Sequence, residues 1–294
     1  MRLPAAALLA CGWLTIAAFA TAQTATSLAP PKPAPAAKPA LAQPTAVADI
    51  EAQLAFLRTA SVVSSRKIGK GVTGALRVTL RDGAKTHDAA FQAVASQSSG
   101  TSLQQSTRRT GAFLFVDHYR YNIAAWQLAR LLGLAAMMPP TVERQIDGRT
   151  GALAWWVDDV LMDEEARQKS NALPPGGSIE LAQMFGRMYV FAALVRDTDR
   201  NQGNAVFTTD WRLVMLDFTR AFRLQHELLK AEDLGAIDRR LFAALRALTV
   251  DQVEAGVEHW LTSGEVEAVM ARRDLLVQHF ERRIALRGEA GVLY

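Results

Sequence analysis

A polar loop between two strongly apolar segments is the feature that most limits how this chain folds. Residues Ile179 to Val195 have the apolar spacing of a buried helix, and Leu213 to Leu216 have the composition of a short strand. Between them lies the loop Asp197-Thr198-Asp199-Arg200-Asn201-Gln202-Gly203-Asn204, and Asp217 ends the strand. The pattern therefore predicts polar side chains held at the ends of rigid elements, where a site can be positioned accurately.

Asp199, Asn204 and Asp217 carry the side chains that phosphoryl transfer requires. One carboxylate orients the attacking hydroxyl, while an amide oxygen and a second carboxylate hold the magnesium that neutralises the phosphates. Asn204 follows Asp199 after four intervening residues, and Asp217 follows after twelve more. This is the spacing of the catalytic and metal-binding loops of protein kinases. We therefore predict Asp199 as the catalytic residue and Asn204 and Asp217 as metal ligands.

The same loop has an alternative interpretation as a calcium-binding cluster or a plain solvated turn. Asp197, Asp199 and Asn201 alternate as the ligands of an EF-hand loop do. However, Thr208 stands where an EF-hand has its bidentate glutamate, twelfth in the loop. The spacing to Asp217 favours the phosphate interpretation.

A glycine-rich turn precedes the first predicted strand. Gly69, Gly71 and Gly74 have the Gly-x-Gly-x-x-Gly spacing, and the strand Ala75–Leu80 follows. A dinucleotide-binding turn of this spacing opens a helix instead. A turn that leads into a strand is typical of the lid whose backbone N–H groups cover the phosphates in kinases. An ordinary hairpin is the alternative.

Kinases carry a lysine on the next strand, in an Ala-x-Lys pattern, and pair it with a glutamate on a helix. Here the strand reads Ala89-Ala90-Phe91-Gln92, and the helix contains Asn122. Both charges are lost together, so no buried charge is left without its partner. We predict that Gln92 and Asn122 form a hydrogen-bonded amide pair beside the nucleotide.

An amide pair clamps phosphates weakly, so the missing positive charge needs another source. Lys70 in the glycine turn, Lys85, or Arg77 on the following strand could supply it, or the site is degenerate. These alternatives stay open on the sequence alone.

Three further segments have weaker patterns. Trp155-Trp156-Val157-Asp158-Asp159 falls where kinases place the hinge against adenine, although its tryptophans could equally be core. Arg220 and Arg223 follow Asp217 closely enough to meet a phosphate, but we favour surface charge for both. His87 beside Asp88 is more typical of a structural pair than of a catalytic dyad.

The N-terminal part of the chain predicts export. Arg2, the apolar run Ala5–Phe19 and the small residues Ala20-Thr21-Ala22 form a secretory signal peptide over residues 1–22. An uncleaved leader would instead act as a membrane tether. Residues 23–47 are rich in alanine and proline and predict a disordered linker. We expect an exported protein, periplasmic or secreted, with its folded domain over residues 48–294.

Composition excludes several classes of site. The only cysteine, Cys11, lies in the leader, so disulfides, zinc thiolates and a cysteine nucleophile are excluded from the mature chain. The net charge of +4 is too small to indicate a nucleic-acid partner.

The remaining pattern predicts an α+β plan, with a β-rich N-lobe at about 48–160 and a helical C-lobe at about 161–294. The predicted strands are Ala75–Leu80, His87–Val94, Thr141–Ile146, Ala152–Val160 and Ala205–Thr208, and the predicted helices are Ile50–Ala60, Asp117–Leu132, Ile179–Val195 and much of the chain from Leu228. Loops are predicted at Ala95–Gly111 and Asp163–Gly177.

With these motifs, the sequence resembles the protein-kinase-like superfamily, nearest to the Golgi casein kinase and phosphoinositide 3- and 4-kinase branches and their exported bacterial relatives. The resemblance covers about Gly69 to Arg223. It implies a two-lobed fold, ATP, and magnesium or manganese. Gln92, Asn122, Asn201 and Thr219 depart from the family pattern.

Three functional hypotheses follow. The first is an exported kinase acting on a hydroxyl of an unknown protein, lipid or small molecule. The second is a pseudokinase that binds a nucleotide or another ligand without turnover. The third is a scaffold of the cell envelope.

Overall fold

The structure is a computed structural model that describes residues 47–69, 74–97, 116–257 and 259–294. The described residues do not include the predicted leader or most of the predicted linker. They also do not include Lys70 and Gly71 of the glycine-rich turn. The strands are β1 Ser61–Lys67, β2 Leu76–Asp82, β3 Lys85–Gln92, β4 Ala95–Gln97, β5 Val116–His118, β6 Thr141–Ile146, β7 Arg149–Trp155, β8 Val160–Asp163, β9 Ala205–Thr208 and β10 Leu213–Met215. The α-helices are α1 Val47–Thr59, α2 Arg120–Leu131, α3 Glu164–Ser170, α4 Gly177–Val195, α5 Arg239–Ala247, α6 Val250–Val257 and α7 Ser263–Arg287.

The larger sheet is antiparallel and has the order β1-β2-β3-β7-β6. Its central strands alternate, with Val78 and Leu80 of β2 and Phe91 of β3 buried on the face that helices cover. A two-residue turn joins β6 to β7, and both its residues, Asp147 and Gly148, have positive φ. That backbone matches the twist of a tight hairpin, and Asp-Gly is a preferred sequence for it.

Helices α1 and α2 pack on β6 and β7. Leu54 and Leu57 of α1 are buried, and Trp126 lies at the centre of the buried face of α2. The C-terminal part is mainly helical, with α4 packed against α7 and a small sheet of order β10-β9-β8 beside them. The chain thus has a β-rich N-terminal lobe and a helical C-terminal lobe, as predicted.

The structure differs from the predicted elements in five places, four of them in the N-terminal lobe and its connections. β1 was not predicted because all seven of its residues are exposed and show no apolar alternation. Asp117 belongs to β5, and α2 begins only at Arg120. The predicted strand Ala152–Val160 is two strands, since β7 ends at Trp155 and β8 begins at Val160. The loop predicted at Ala95–Gly111 begins with β4, which pairs with β5.

The predicted loop Asp163–Gly177 contains α3. The Asp163 side chain caps this helix by accepting a hydrogen bond from the backbone N–H of Ala166 at 2.9 Å. Glu164 and Arg167 then form an ion pair one turn apart, at 2.6 Å. The cap and the ion pair both stabilise a helix, but the segment was predicted as a loop because its composition is polar.

In the described parts of the chain, no helix is both long enough and apolar enough to cross a bilayer.

Arg272 of α7 is fully buried and connects three parts of the C-terminal lobe. Its Nε donates to the carbonyl of Leu194 at the end of α4, at 2.7 Å. Its Nη1 donates to the carbonyls of Arg223 and Gln225, at 2.8 and 2.6 Å. Burial lowers the pKa of Arg272 to about 9. The side chain therefore fixes the segment that follows Asp217 against the end of α4.

We predict that Arg272→Met lowers the free energy of unfolding by about 2–4 kcal/mol. The buried carbonyl of Leu194 and the less buried carbonyls of Arg223 and Gln225 lose their donor, at about 1–3 kcal/mol for a buried one, and removal of a buried charge offsets part of that loss. Urea unfolding measures the change. The control is Arg282→Met on an exposed face of the same helix, which should change stability by about 0.5 kcal/mol or less. Equal stabilities of the two variants would contradict the assignment.

Candidate functional site: a cleft between the two lobes

A cavity of about 440 Å³ lies between the large sheet and the small one. Its walls come from β3, β7, the connection from β7 to β8, the loop after α4 and the segment that follows β10. The lining includes the predicted site residues Gln92, Asn122, Asp199, Asn204 and Asp217. Residues separated by up to 125 positions in the sequence therefore face one cleft, of a volume typical of ligand sites.

The loop after α4 is fixed by a buried ion pair. Helix α4 ends where Arg196 adopts a left-handed backbone, with φ +48°. The Asp197 side chain is then fully buried and accepts a hydrogen bond from Arg200 Nε at 2.7 Å, and Arg200 Nη2 lies 2.6 Å from the same carboxylate oxygen. Asp197 also accepts the backbone N–H of Asp199 at 3.0 Å. Arg200 and the loop backbone therefore hold the Asp197 carboxylate inside the protein, and Asp199 is the loop carboxylate that lines the cleft.

Arg200 also holds the second loop of the site. Its Nη1 donates to the carbonyls of Asn204 and Leu216, both at 2.8 Å, and its Nη2 donates to the carbonyl of Asp217 at 2.8 Å. The guanidinium lies over the ring of Phe218, 4.2 Å from its centroid. One side chain thus sets the spacing between the loop that carries Asp199 and the strand end that carries Asp217.

Asp217 has a left-handed backbone, with φ +54°. Such a conformation is costly for a residue other than glycine and is concentrated at functional sites. The carboxylate is held on both sides. Its Oδ1 accepts from the N–H and the hydroxyl of Thr219, at 3.2 and 2.8 Å, and its Oδ2 accepts from Gln92 at 3.3 Å. The carboxylate is therefore oriented within the cleft before any ligand binds.

The donor set of Asn204 and Asp217 fits a hard divalent cation. Asn204 donates its Nδ2 to the carbonyl of Asp199 at 3.0 Å, so its Oδ1 is the atom suited to a metal. The structure shows no group of three His, Cys, Asp or Glu arranged to hold a metal within its described ranges. One carboxylate and one amide suit magnesium or manganese only if phosphate oxygens and water complete the shell.

Gln92 and Asn122 form the predicted amide pair. Asn122 Nδ2 donates to Gln92 Oε1 at 2.5 Å, and Gln92 Nε2 donates on to Asp217. Asn122 Oδ1 accepts from the backbone N–H of Phe218 at 2.6 Å. Each amide therefore both donates and accepts, in one consistent direction. This chain of hydrogen bonds joins β3, α2 and the Asp217 segment without a buried charge.

The glycine turn joins β1 to β2. Ile68 donates its backbone N–H to the carbonyl of Ala75 at 2.9 Å, and both residues line the cleft. Gly74 has φ +66°, a backbone that side-chain-bearing residues rarely adopt. Gly69 and Gly74 flank the turn without lining the cleft, and Gly71 lies outside the described residues.

Two of the three candidate cations point elsewhere. Arg77 donates to Asp88 at 2.5 Å and lies 4.1 Å over the ring of Trp156. Burial tends to raise the pKa of Asp88, but the hydrogen bonds from Thr79 and Arg77 lower it overall. Lys85 lies over the ring of Trp155, at 5.0 Å. Arg77 and Lys85 do not line the cleft.

The predicted hinge segment lies at the cleft. Trp155, Trp156 and Val157 all contribute to its lining. The ring of Trp155 stacks on His87, with centroids 3.7 Å apart. His87 bonds Asp158 at 2.8 Å and makes no contact with the Asp88 carboxylate, so it has the structural role we favoured.

Arg220 is the residue that the sequence interpretation undervalued. It lines the cleft and is not plain surface charge. Its Nη1 lies 3.1 Å from Asp199 Oδ2, and its Nε lies 3.1 Å from Asp117 Oδ2. Its position directly after Asp217 and Thr219 was the available signal. Arg223 does not line the cleft, and burial lowers the pKa of its guanidinium.

His118, next to Asp117 on β5, fixes the position of that strand. Its backbone N–H donates to the carbonyl of Thr219 at 2.9 Å. Burial lowers the pKa of the His118 imidazole, and the neighbouring Arg120 lowers it further. The contact sets β5 beside the segment that contains Asp217.

No protein-family model and no curated protein matches the sequence. Solved structures do match. One described as hydra Fam20 with sugar has a TM-score of 0.62 at 14% identity, covering 85% of this chain and 93% of that chain. A crystal structure of the Golgi casein kinase with Mn/ADP bound has a TM-score of 0.59 at 14% identity, covering 84% of this chain and 78% of that one. The chain therefore has the two-lobed α+β fold of the protein-kinase-like superfamily.

Proposed function

We propose that this protein is an exported phosphotransferase that moves the γ-phosphate of ATP to a hydroxyl acceptor with the help of a divalent metal. The convergence of Asp199, Asn204 and Asp217 on one cleft is the observation that carries the proposal. Their spacing in the sequence is that of the catalytic and metal-binding loops of protein kinases, and their side chains line the same cleft. The Mn/ADP bound to the similar Golgi casein kinase supports the choice of ligand.

Each residue would have a separate task. Asp199 is 39% exposed and would orient the acceptor hydroxyl and accept its proton. Asn204 Oδ1 and the Asp217 carboxylate would hold magnesium or manganese, which would neutralise charge on the phosphates. Trp155, Trp156 and Val157 would contact the base, and the glycine turn would cover the phosphates.

Export is part of the proposal and depends on residues 1–22. They have the charge, apolar length and small residues of a signal peptide. The acceptor would then be a protein, lipid or small molecule of the cell envelope or the medium. An uncleaved leader would tether the same domain to the membrane.

The alternative function is nucleotide or ligand binding without turnover. The neutral pair of Gln92 and Asn122 favours this alternative, because neither amide brings positive charge to the phosphates. The two functions share a cleft and differ in chemistry. Binding and phosphate transfer therefore have to be measured separately.

We predict that ATP with manganese raises the melting temperature of the full chain. A ligand at 100 times its dissociation constant stabilises the folded state by about 2.7 kcal/mol. Asp217→Asn should abolish the metal-dependent part of the shift. Asp147→Asn is the matched control, because Asp147 also has a positive φ, lies in the turn between β6 and β7, and is remote from the cleft lining.

Absence of any shift in the well-folded parent protein would reject the nucleotide cleft and favour a scaffold.

We predict that Asp199→Asn still binds ATP with manganese but loses transfer. Loss of a general base lowers turnover by about 10²–10⁴-fold. Release of ADP, with water or the protein itself as acceptor, measures turnover without knowledge of the natural acceptor. A parent protein that binds ATP and releases no ADP would support the pseudokinase alternative instead.

A further inference from the structure

The charge of the cleft has an imbalance that the proposed function must resolve. Its described lining contains two carboxylates, Asp199 and Asp217, and four neutral amides, Gln92, Asn122, Asn201 and Asn204. Among those lining residues, Arg220 is the one cationic side chain. A nucleotide brings several negative charges, and a metal ion neutralises only part of them.

We propose that Arg220, oriented by Asp117, is the phosphate-binding residue of this cleft. The inference rests on the proposed function and adds to it the group that recognises the phosphates. Kinases carry the phosphate-binding lysine on the strand that corresponds to β3 and its glutamate partner on the helix that corresponds to α2. In this protein the proposed cation lies in the segment after Asp217, and its carboxylate partner lies on β5.

The geometry of Asp117 is that of an anchor. Its side chain is 5% exposed, and its Oδ2 bonds Arg220 Nε at 3.1 Å. Its Oδ1 is buried without a hydrogen-bond partner in the described part of the chain. A buried carboxylate beside an arginine is strongly destabilised when the arginine is removed, so the pair is firmly held. The hydrogen bond from the His118 N–H to the Thr219 carbonyl holds β5 beside the segment that carries Arg220.

The other end of Arg220 can exchange partners. Its Nη1 bonds Asp199, which is 39% exposed, and a pair so open to solvent contributes little. The backbone is fixed separately, because Thr198 Oγ1 donates to the Arg220 carbonyl at 3.1 Å. The terminal phosphate of a nucleotide offers an acceptor with up to two negative charges, and its oxygens match the guanidinium fork. Nη1 would then leave Asp199 for the phosphate, while Nε stays on Asp117.

This exchange links nucleotide binding to the catalytic carboxylate. While Arg220 contacts Asp199, the Asp199 Oδ2 atom is occupied and cannot accept a hydrogen bond from an acceptor hydroxyl. Movement of Nη1 to the phosphate releases that oxygen. Asp199 then has both carboxylate oxygens available to the acceptor hydroxyl once the phosphate donor is in place.

The test compares ATP with adenosine, both with manganese, on Arg220→Met. We expect ATP to bind about 10- to 100-fold more weakly, the range for a lost hydrogen bond to a charged group. Adenosine should bind as it does to the parent protein, since it has no phosphate. Arg187→Met is the matched control: its side chain is 30% exposed, it bonds Asp238 at 3.2 Å, and it does not line the cleft.

A second variant guards against misfolding. Asp117→Asn combined with Arg220→Met leaves no buried charge unpaired and should show the same selective loss of ATP binding. Replacing Gln92→Lys and Asn122→Glu in the Arg220→Met protein should restore part of that binding by returning a cation to β3.

Several results would overturn the inference. If ATP affinity were unchanged in both Arg220 variants, or if adenosine affinity fell equally, Arg220 would not be the phosphate-binding residue. Loss of ATP binding in Lys70→Met but not in Arg220→Met would assign the task to Lys70. In each of these cases the proposed function would still hold if the parent protein bound ATP and that binding depended on Asp217. If the parent protein bound no nucleotide, both proposals would be wrong.

Discussion

The buried ion pair between Arg200 and Asp197 is the interaction on which the site depends. Asp197 is fully buried and Arg200 is 7% exposed, so neither charge is satisfied by water. Such a pair is costly to bury and very costly to break, which makes it a strong geometric constraint. Arg200 also donates hydrogen bonds to the carbonyls of Asn204, Leu216 and Asp217. The polar loop after α4 and the end of β10 therefore move as one unit, and Asp199 and Asp217 keep a fixed relation.

The hydrogen-bonded amides connect this unit to the N-terminal lobe. Because Gln92 and Asn122 are neutral, they join the sheet, α2 and Asp217 without the desolvation cost of a buried ion pair. The consequence is electrostatic. The N-terminal lobe contributes geometry to the described cleft, and the positive charge comes from Arg220 in the other lobe. In our proposal, Gln92 and Asn122 connect the two lobes and Arg220 binds the phosphates.

The prediction from sequence succeeded where the signal is local. The helix over Ile179–Val195 was found almost to the residue, because its apolar spacing and the polar loop after it are both contained in one short segment. The strand Thr141–Ile146 was predicted with the bounds that the structure gives. β1 was missed because an edge strand with no buried face has no periodicity to detect. α3 was missed because its signals, a cap and an ion pair, are side-chain contacts rather than apolar spacing.

The fold class and the grouping of Asp199, Asn204 and Asp217 could be predicted from the sequence, because their spacing within one loop and one strand leaves few arrangements. The hydrogen bond between Gln92 and Asn122 was predicted as well, and the structure shows it. The position of the positive charge could be known only from the folded protein. Asp117 and Arg220 are separated by 103 positions, and nothing in either local pattern indicates that one is buried beside the other. Burial and pairing at that separation arise from the packing of β5 on the Asp217 segment, which no local pattern of residues contains.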